Sequence, residues 1–344
     1  MSSDTTDKTA ALSRIVGVEE HVAYRDLMRR VPERAMIERG FLSRDEPFGK
    51  KASMLDKLSD TEDRLNELDA VGVTVQVLSY PIAGADLLPP RDGLRLARDF
   101  NDNLGRSIAA HPDRYAGFAN LPLTDPDASA DELERTVTQL GFKGALVNGS
   151  TQGRYLDHLS FEPVLRRAEK LDVPIYLHPS PSPKAAREAL YGELPNDLSF
   201  FTSTAGWGWH ADSAVHVLRL MLSGVFERHP KLKVIIGHLG EGLQVMLPRF
   251  DQQFHTLAGF EGIPSEILRE HVWVSTGGFF FLPSFMATLE AFGADRILYS
   301  VDYPWGSLER GRAFLEELPV NSETLAKIAY RNADQLLRLS IPYT

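Results

Sequence analysis

Apolar residues along this chain fall into two alternating patterns. Short β-favouring runs end on a polar residue, and between them apolar positions recur at the spacing of a helix face. Strands are expected at 15–19, 73–79, 115–119, 143–148, 173–178, 232–238 and 271–276, with an eighth in the stretch opening at Leu298. Helices are expected at 61–71, about 91–110, 127–140, 161–171, 211–228, 241–255 and 283–292, and Leu315, Leu325, Ile328 and Leu336 mark two closing helices. The helix over 211–228 carries Val215, Leu218, Leu222 and Val225 on one face. Pro112 and Gly141 act as stop signals. Eight strands alternating with helices, without a break in composition, predict an α/β fold whose parallel sheet closes into a (β/α)8 barrel. A doubly wound open sheet is the alternative, but it would gather its polar strand ends at one switch point rather than spread them along the chain.

Residues 1–14 read as a disordered polar tail and 15–344 as a single barrel domain. A charged, irregular stretch at about 24–59, with Arg29, Arg30, Pro32, Pro47, Lys50 and Lys51, suits a long excursion over the barrel mouth. The stretch 179–209 reads as a loop rich in Pro, Gly and aromatic residues that could wall a pocket.

Charge and composition narrow the partners. Acidic residues number 47 against 37 basic, giving a net charge of −10, and no Lys/Arg run is long enough to follow a phosphate backbone. Nucleic acid is therefore not expected as a partner, and a small organic molecule is. No run approaches transmembrane length and the N-terminus lacks the apolar core of a secretory signal, so a cytoplasmic protein without membrane contact is expected. The absence of cysteine excludes disulfides, thiolate metal sites and a cysteine nucleophile, so any metal must use histidine and carboxylate.

The strand ends supply those residue types. Glu19 and His21 stand two apart after the first run, so an extended chain points both to one side and Glu20 away. His178 ends the fifth run, His238 the sixth, and Asp302 follows the eighth. Each has a plainer reading alone. Asp after a strand often caps a helix or forms a turn, and a strand-end His often sits hydrogen-bonded at a rim. Taken together they match what a divalent ion needs, three or four nitrogen and oxygen ligands converging from separate elements. Glu241 follows His238 at a spacing that could hydrogen-bond its ring, within Gly237-His238-Leu239-Gly240-Glu241-Gly242. His238 and Glu241 read as an acid/base pair beside the ion rather than ligands. Arg64 and Arg249 are candidate carboxylate clamps, or else solvated helix positions. The other histidines read as structural, with His210, beside Trp209, set apart.

Glu19-x-His21, Tyr176-Leu177-His178-Pro179, Gly237-His238-Leu239-Gly240-Glu241 and Ser300-Val301-Asp302-Tyr303-Pro304 together resemble the amidohydrolase superfamily, and within it the metal-dependent aromatic acid decarboxylases. The likeness runs from Ile15 onward and is similar in particular to the γ-resorcylate, 2,3-dihydroxybenzoate and 5-carboxyvanillate decarboxylases. It implies a (β/α)8 barrel in which Glu19, His21, His178 and Asp302 hold one divalent ion, Zn or Mn in the first place and Mg also admissible. It further implies that Asp302, His238 and Glu241 act on a small aromatic carboxylic acid, and that the protein is a homodimer or homotetramer. The expected reaction is non-oxidative loss of CO2 from a 2-hydroxybenzoate, with Asp302 protonating the ring carbon. Two other readings stand beside it: a metal-dependent hydrolase (lactonase) or hydratase of the same superfamily, and a non-catalytic barrel that binds an aromatic acid.

Overall fold

The computed structural model describes residues 8–41, 52–82, 84–195 and 197–339. Among the described residues nine short strands run β1 Val16–His21, β2 Val75–Ser79, β3 Tyr115–Gly117, β4 Ala119–Asn120, β5 Ala145–Asn148, β6 Ile175–His178, β7 Val234–Ile236, β8 Val272–Ser275 and β9 Ile297–Leu298. All pair in parallel, in the orders β1-β2-β3 and β4 through β9. The third expected strand is therefore one strand position split at Phe118, whose N–H still reaches Leu78 O while Ala119 N–H turns to Gly144 O. The seam between β9 and β1 closes through Val18 N to Tyr299 O (3.0 Å), Asp302 N to Glu19 O (3.0 Å) and His21 N to Tyr303 O (2.9 Å). These bonds leave no free sheet edge there, so the sheet is a closed barrel and not the open alternative.

The helices form where pattern and caps agree. The helix Thr61–Val71 starts at Asp60, whose side chain accepts from the N–H groups of Glu62 and Asp63, and stops at Gly72 with φ +73°. Expected and observed elements differ where local signals compete. The helix expected over 211–228 is two, Gly208–Leu222 and Val225–Arg228, broken at Gly224. The one expected over 241–255 breaks into a 3-10 turn at Leu243–Val245, a helix at Leu247–Phe250 and a π-helical stretch at Asp251–Leu257. The expected loop 179–209 contains two helices, Lys184–Tyr191 and Leu198–Ser203.

The N-terminal residues also differ from the expected tail. Residues 1–7 lie outside those described, but Ala11 and Leu12 are buried and Arg14 pairs with Asp334 near the C-terminus, Nη2 to Oδ1 at 2.7 Å. In the excursion, helices form at Arg25–Met28, Glu33–Arg39 and Ala52–Ser59, while residues 42–51 lie outside the described set. Arg39 anchors it over the strand ends, donating to Ser150 O and to Ser180 Oγ at 2.8 Å.

Candidate active site

Four strand ends converge. Glu19, His21, His178 and Asp302 each place one ligand-type atom within 4.8 Å of the others. Glu19 comes from β1 and is fully buried. Its Oε2 accepts from the Tyr176 hydroxyl (2.5 Å) and from Ser275 Oγ (2.9 Å). Those two bonds fix the carboxylate and leave Oε1 buried without a partner. His21 is tied at Nδ1 to Ser79 Oγ (3.1 Å) and His178 at Nδ1 to Asn148 Oδ1 (2.9 Å). Both rings therefore turn Nε2 inward. His21 Nε2 lies 3.0 Å from Asp302 Oδ1 yet has no aligned hydrogen-bond partner. Unpaired buried polar atoms cost about 1–3 kcal/mol each, so two of them facing a shared space fit a group that this set is built to receive. Two carboxylates and two imidazoles, with the outer nitrogens already bonded, match a divalent cation in type and orientation.

Asp302 reaches the cluster because the chain after β9 is clamped on both sides of it. Glu20, which alternation turns away from the cluster, accepts from Val301 N (2.8 Å, Oε1) and Tyr303 N (3.1 Å, Oε2), and Gln76 Nε2 adds a third bond at 3.1 Å. Asp302 itself sits at φ +61°. His238 and Glu241 also lie in the left-handed region, at φ +52° and +55°, where non-glycine residues are uncommon. The surrounding structure must hold them there, which is typical of functional positions. Gly277 shows how tight the floor is, since a Cβ there would meet His238 N at 2.5 Å and Glu19 Oε2 at 2.9 Å.

His238 stands beside the cluster, with Nε2 4.0 Å from Glu19 Oε1 and 3.9 Å from Asp302 Oδ2. Its Nδ1 bonds Glu241 Oε1 at 2.8 Å, as the spacing predicted, and Glu241 Oε2 takes a second bond from His210 Nδ1 at 2.6 Å. Burial opposes charge on His238, but Glu241 and Glu19 outweigh it and hold the imidazole protonated well above its ordinary range. Burial likewise opposes ionisation of Glu241, and the two imidazoles overcome it, bringing that carboxyl down to about 2. For Asp302 the same contest ends below the usual carboxylate range because His21 and His238 flank it. Burial pushes His178 well below its ordinary value, so it is a neutral ligand-type nitrogen, and raises Glu19. Two aromatic rings flank the mouth: Trp305 against His21, with centroids 5.4 Å apart, and Phe279 against His238 at 4.9 Å.

The two arginines are not brought to the cluster. Arg64 is 1% exposed and donates Nη2 to His21 O (2.7 Å) and Lys57 O (3.1 Å), with its guanidinium 4.4 Å from the Tyr303 ring. These bonds brace the backbone at the end of β1. Arg249 is exposed and bonds Gln252 Oε1. Sequence reasoning passed over Tyr176, Ser275, Asn148, Ser79 and Glu20. A signal existed for the first four: Tyr176 shares a face with His178 by alternation, and Ser275, Asn148 and Ser79 each end a strand.

The amidohydrolase family profile matches residues 53–339. The chain is 38% identical over 298 residues to decarboxylase orsB of Emericella nidulans, covering 83% of this chain and 88% of that one. It is 35% identical over 338 residues to the γ-resorcylate decarboxylase of Rhizobium sp. MTP-10005, covering 94% and 98%. Among solved structures, the dihydroxybenzoic acid decarboxylase of Polaromonas sp. JS666, with bound manganese and the inhibitor 2-nitroresorcinol, superposes with a TM-score of 0.83 at 30% identity, covering 94% of this chain and 97% of that one. With a closed barrel, converging strand-end ligands and these matches over most of its length, this chain belongs to the amidohydrolase family.

Proposed function

We propose that this protein is a metal-dependent carboxy-lyase that removes CO2 from a 2-hydroxybenzoate-type acid to give a phenol. The observation that carries the reading is the pair of buried atoms without an aligned hydrogen bond, Glu19 Oε1 and His21 Nε2, within the cluster that includes Asp302 in a chain so similar to decarboxylases. Glu19, His21, His178 and Asp302 would hold the ion. Manganese, present in the Polaromonas enzyme, and zinc both suit this donor set, and magnesium is chemically admissible. When bound, such an ion supplies Lewis-acid charge opposite the phenolate and one carboxylate oxygen of the substrate.

The chain's own residues then move one proton. Asp302 delivers it to the ring carbon bearing the carboxylate, which interrupts aromaticity. The carbon–carbon bond breaks, CO2 leaves, and the released electron pair restores the ring. The new C–H keeps the proton and Asp302 is left ionised. In the free site the proton resides on His238, adjacent to Asp302, so His238 reloads the acid and Glu241 stabilises the imidazolium. Phe279 and Trp305 give the substrate ring apolar faces and limit water at the protonated carbon.

The deciding experiment is metal content of the purified protein followed by CO2 release from a panel of 2-hydroxybenzoates. About one ion per chain with CO2 release is expected for a single-ion site. A metal-replete protein that opens lactones and releases no CO2 would overturn the reading. Among the described residues no helix is long and apolar enough to cross a membrane. A cytoplasmic homodimer or homotetramer is the arrangement we favour. Val245, Met246, Phe281, Leu282 and Met286 are exposed on neighbouring elements, and light scattering of the purified protein tests the assembly.

A further inference from the structure

His210 lies outside the ligand set, in the first turn of the helix Gly208–Leu222, yet it is 9% exposed and its ring stands 4.6 Å from that of His238. Its Nδ1 is 2.6 Å from Glu241 Oε2. Glu241 is thus spanned by two imidazoles, one oxygen to each. The side chain of Glu241 is wholly buried, so both oxygens depend on these partners.

Which nitrogen of His210 carries its proton follows from the neighbour. The Trp209 indole N–H can only donate, and it reaches His210 Nε2 at 3.2 Å. A neutral ring that accepts at Nε2 must carry its proton on Nδ1, facing Glu241. The competing contact, Nε2 to Ala205 O at 3.2 Å, needs a proton on Nε2, which beside the Glu241 carboxylate makes the ring doubly protonated and sets two donors, Nε2–H and the Trp209 N–H, against each other. In either charge state Nδ1–H faces Glu241. Phe279 packs on both rings, 5.3 Å from His210 and 4.9 Å from His238.

We propose that His210 is a positioning residue for the decarboxylation, fixing the Glu241 carboxylate through an Nδ1–H bond so that Glu241 in turn holds His238 with Nε2 toward Asp302. Without that bond the Glu241 carboxylate is free to rotate about its buried side chain, and the His238 ring loses its fixed angle. The inference rests on the decarboxylase reading for its kinetic test but not for its structural one.

The variants are His210→Leu, which removes the donor, and His210→Asn, whose Nδ2–H occupies the place of the imidazole Nδ1–H. Losses of about 10–100-fold are usual when a partner that orients a site residue is removed, and His210→Leu is expected to lose that much in kcat. Its KM and metal content should stay near wild type. His210→Asn should recover most of the rate. Wild-type kcat in the leucine variant, or an asparagine variant as impaired as the leucine one, would overturn the proposal. Should wild type itself release no CO2, the functional reading falls, and crystal structures of the two variants decide the inference separately. The His238 ring is expected to turn in His210→Leu and to stay in place in His210→Asn; an unmoved ring in the first sinks it. If His210→Leu does not fold, Trp209→Phe tests the same chain of bonds by releasing the tautomer. It should lower kcat with metal content unchanged, and an unaltered kcat counts against the proposal.

Discussion

In the proposed reaction two demands meet in one side chain at Asp302, which would face the ion and also hand a proton to carbon. His21 and His238 hold its carboxyl below the usual carboxylate range in the free site, and His238, 3.9 Å away, is the neighbour that would reload it in the proposed reaction. Asp302→Asn keeps the shape and an oxygen ligand but cannot carry the proton. It should retain the fold and most of its metal while turnover falls by at least the 10²–10⁴-fold, roughly, that general acid catalysis contributes. Metal analysis and CO2 release on one sample check this, and an active asparagine variant would remove Asp302 from the acid role. Tyr176 makes the complementary case. Its hydroxyl bonds Glu19 Oε2 and Ser275 Oγ, and so leaves Oε1 free of that hydroxyl and available to a metal ion. Tyr176→Phe should weaken metal affinity by about 10–100-fold, read by competition with a chelator, with the fold unchanged. Glu19, His21, His178 and Asp302 were legible because strand-end metal-type residues stand out in sequence. Tyr176 shares a face with His178 by alternation, but its role was hidden, because a tyrosine in an apolar run looks like core until its hydroxyl is seen to touch a carboxylate.

Elements fail or hold at their junctions. The turn 237–242 runs through five consecutive positive-φ residues, His238 to Gly242, which is why no regular helix continues through 241–255. The helix Gly208–Leu222 is fastened to the loop before Phe161 by His216, whose Nε2 accepts from Leu156 N at 3.0 Å. Burial depresses that imidazole to about 3, below the roughly 6.5 of an exposed one. The unfolded chain therefore binds the proton first, so the neutral ring stabilises the fold fully at pH 7 and progressively less as pH falls from about 6.5 toward 3. In the steep part of that window the loss approaches about 1.4 kcal/mol per pH unit. His216→Gln lacks this titration. Its stability deficit, measured by urea unfolding, should narrow between pH 7 and 5; a deficit independent of pH would refute the assignment.

At the scale of the whole molecule, the candidate metal cluster straddles the seam that closes the barrel. Glu19 and His21 come from the first strand, His178 from the sixth, and Asp302 from the chain beyond the last, so the ion would bridge the seam at which β1 meets Tyr299–Tyr303. Arg14 to Asp334 ties the two ends of the described chain outside the same seam. Chelation should therefore lower the thermal midpoint, and restoring metal to about 100 times its Kd should return about 2.7 kcal/mol. Differential scanning calorimetry with and without chelator reads this directly, and identical midpoints would mean that the cluster holds no ion.

By itself the sequence determined the barrel, its alternation of strands with helices, and which metal-type residues stand at the strand ends, because each is written in periodicities of two and 3.6 and in which residue ends a run. It could not decide that Arg64 braces the backbone at His21 and Lys57, that residues 8–14 pack against the body, or that His210 shares Glu241 with His238. Those depend on where segments far apart in the chain come to rest: Arg64 lies under Tyr303, Arg14 on Asp334, and His210 and Glu241 meet across 31 residues. A local pattern fixes which face a side chain leaves by. Only closure of the barrel fixes what it meets there.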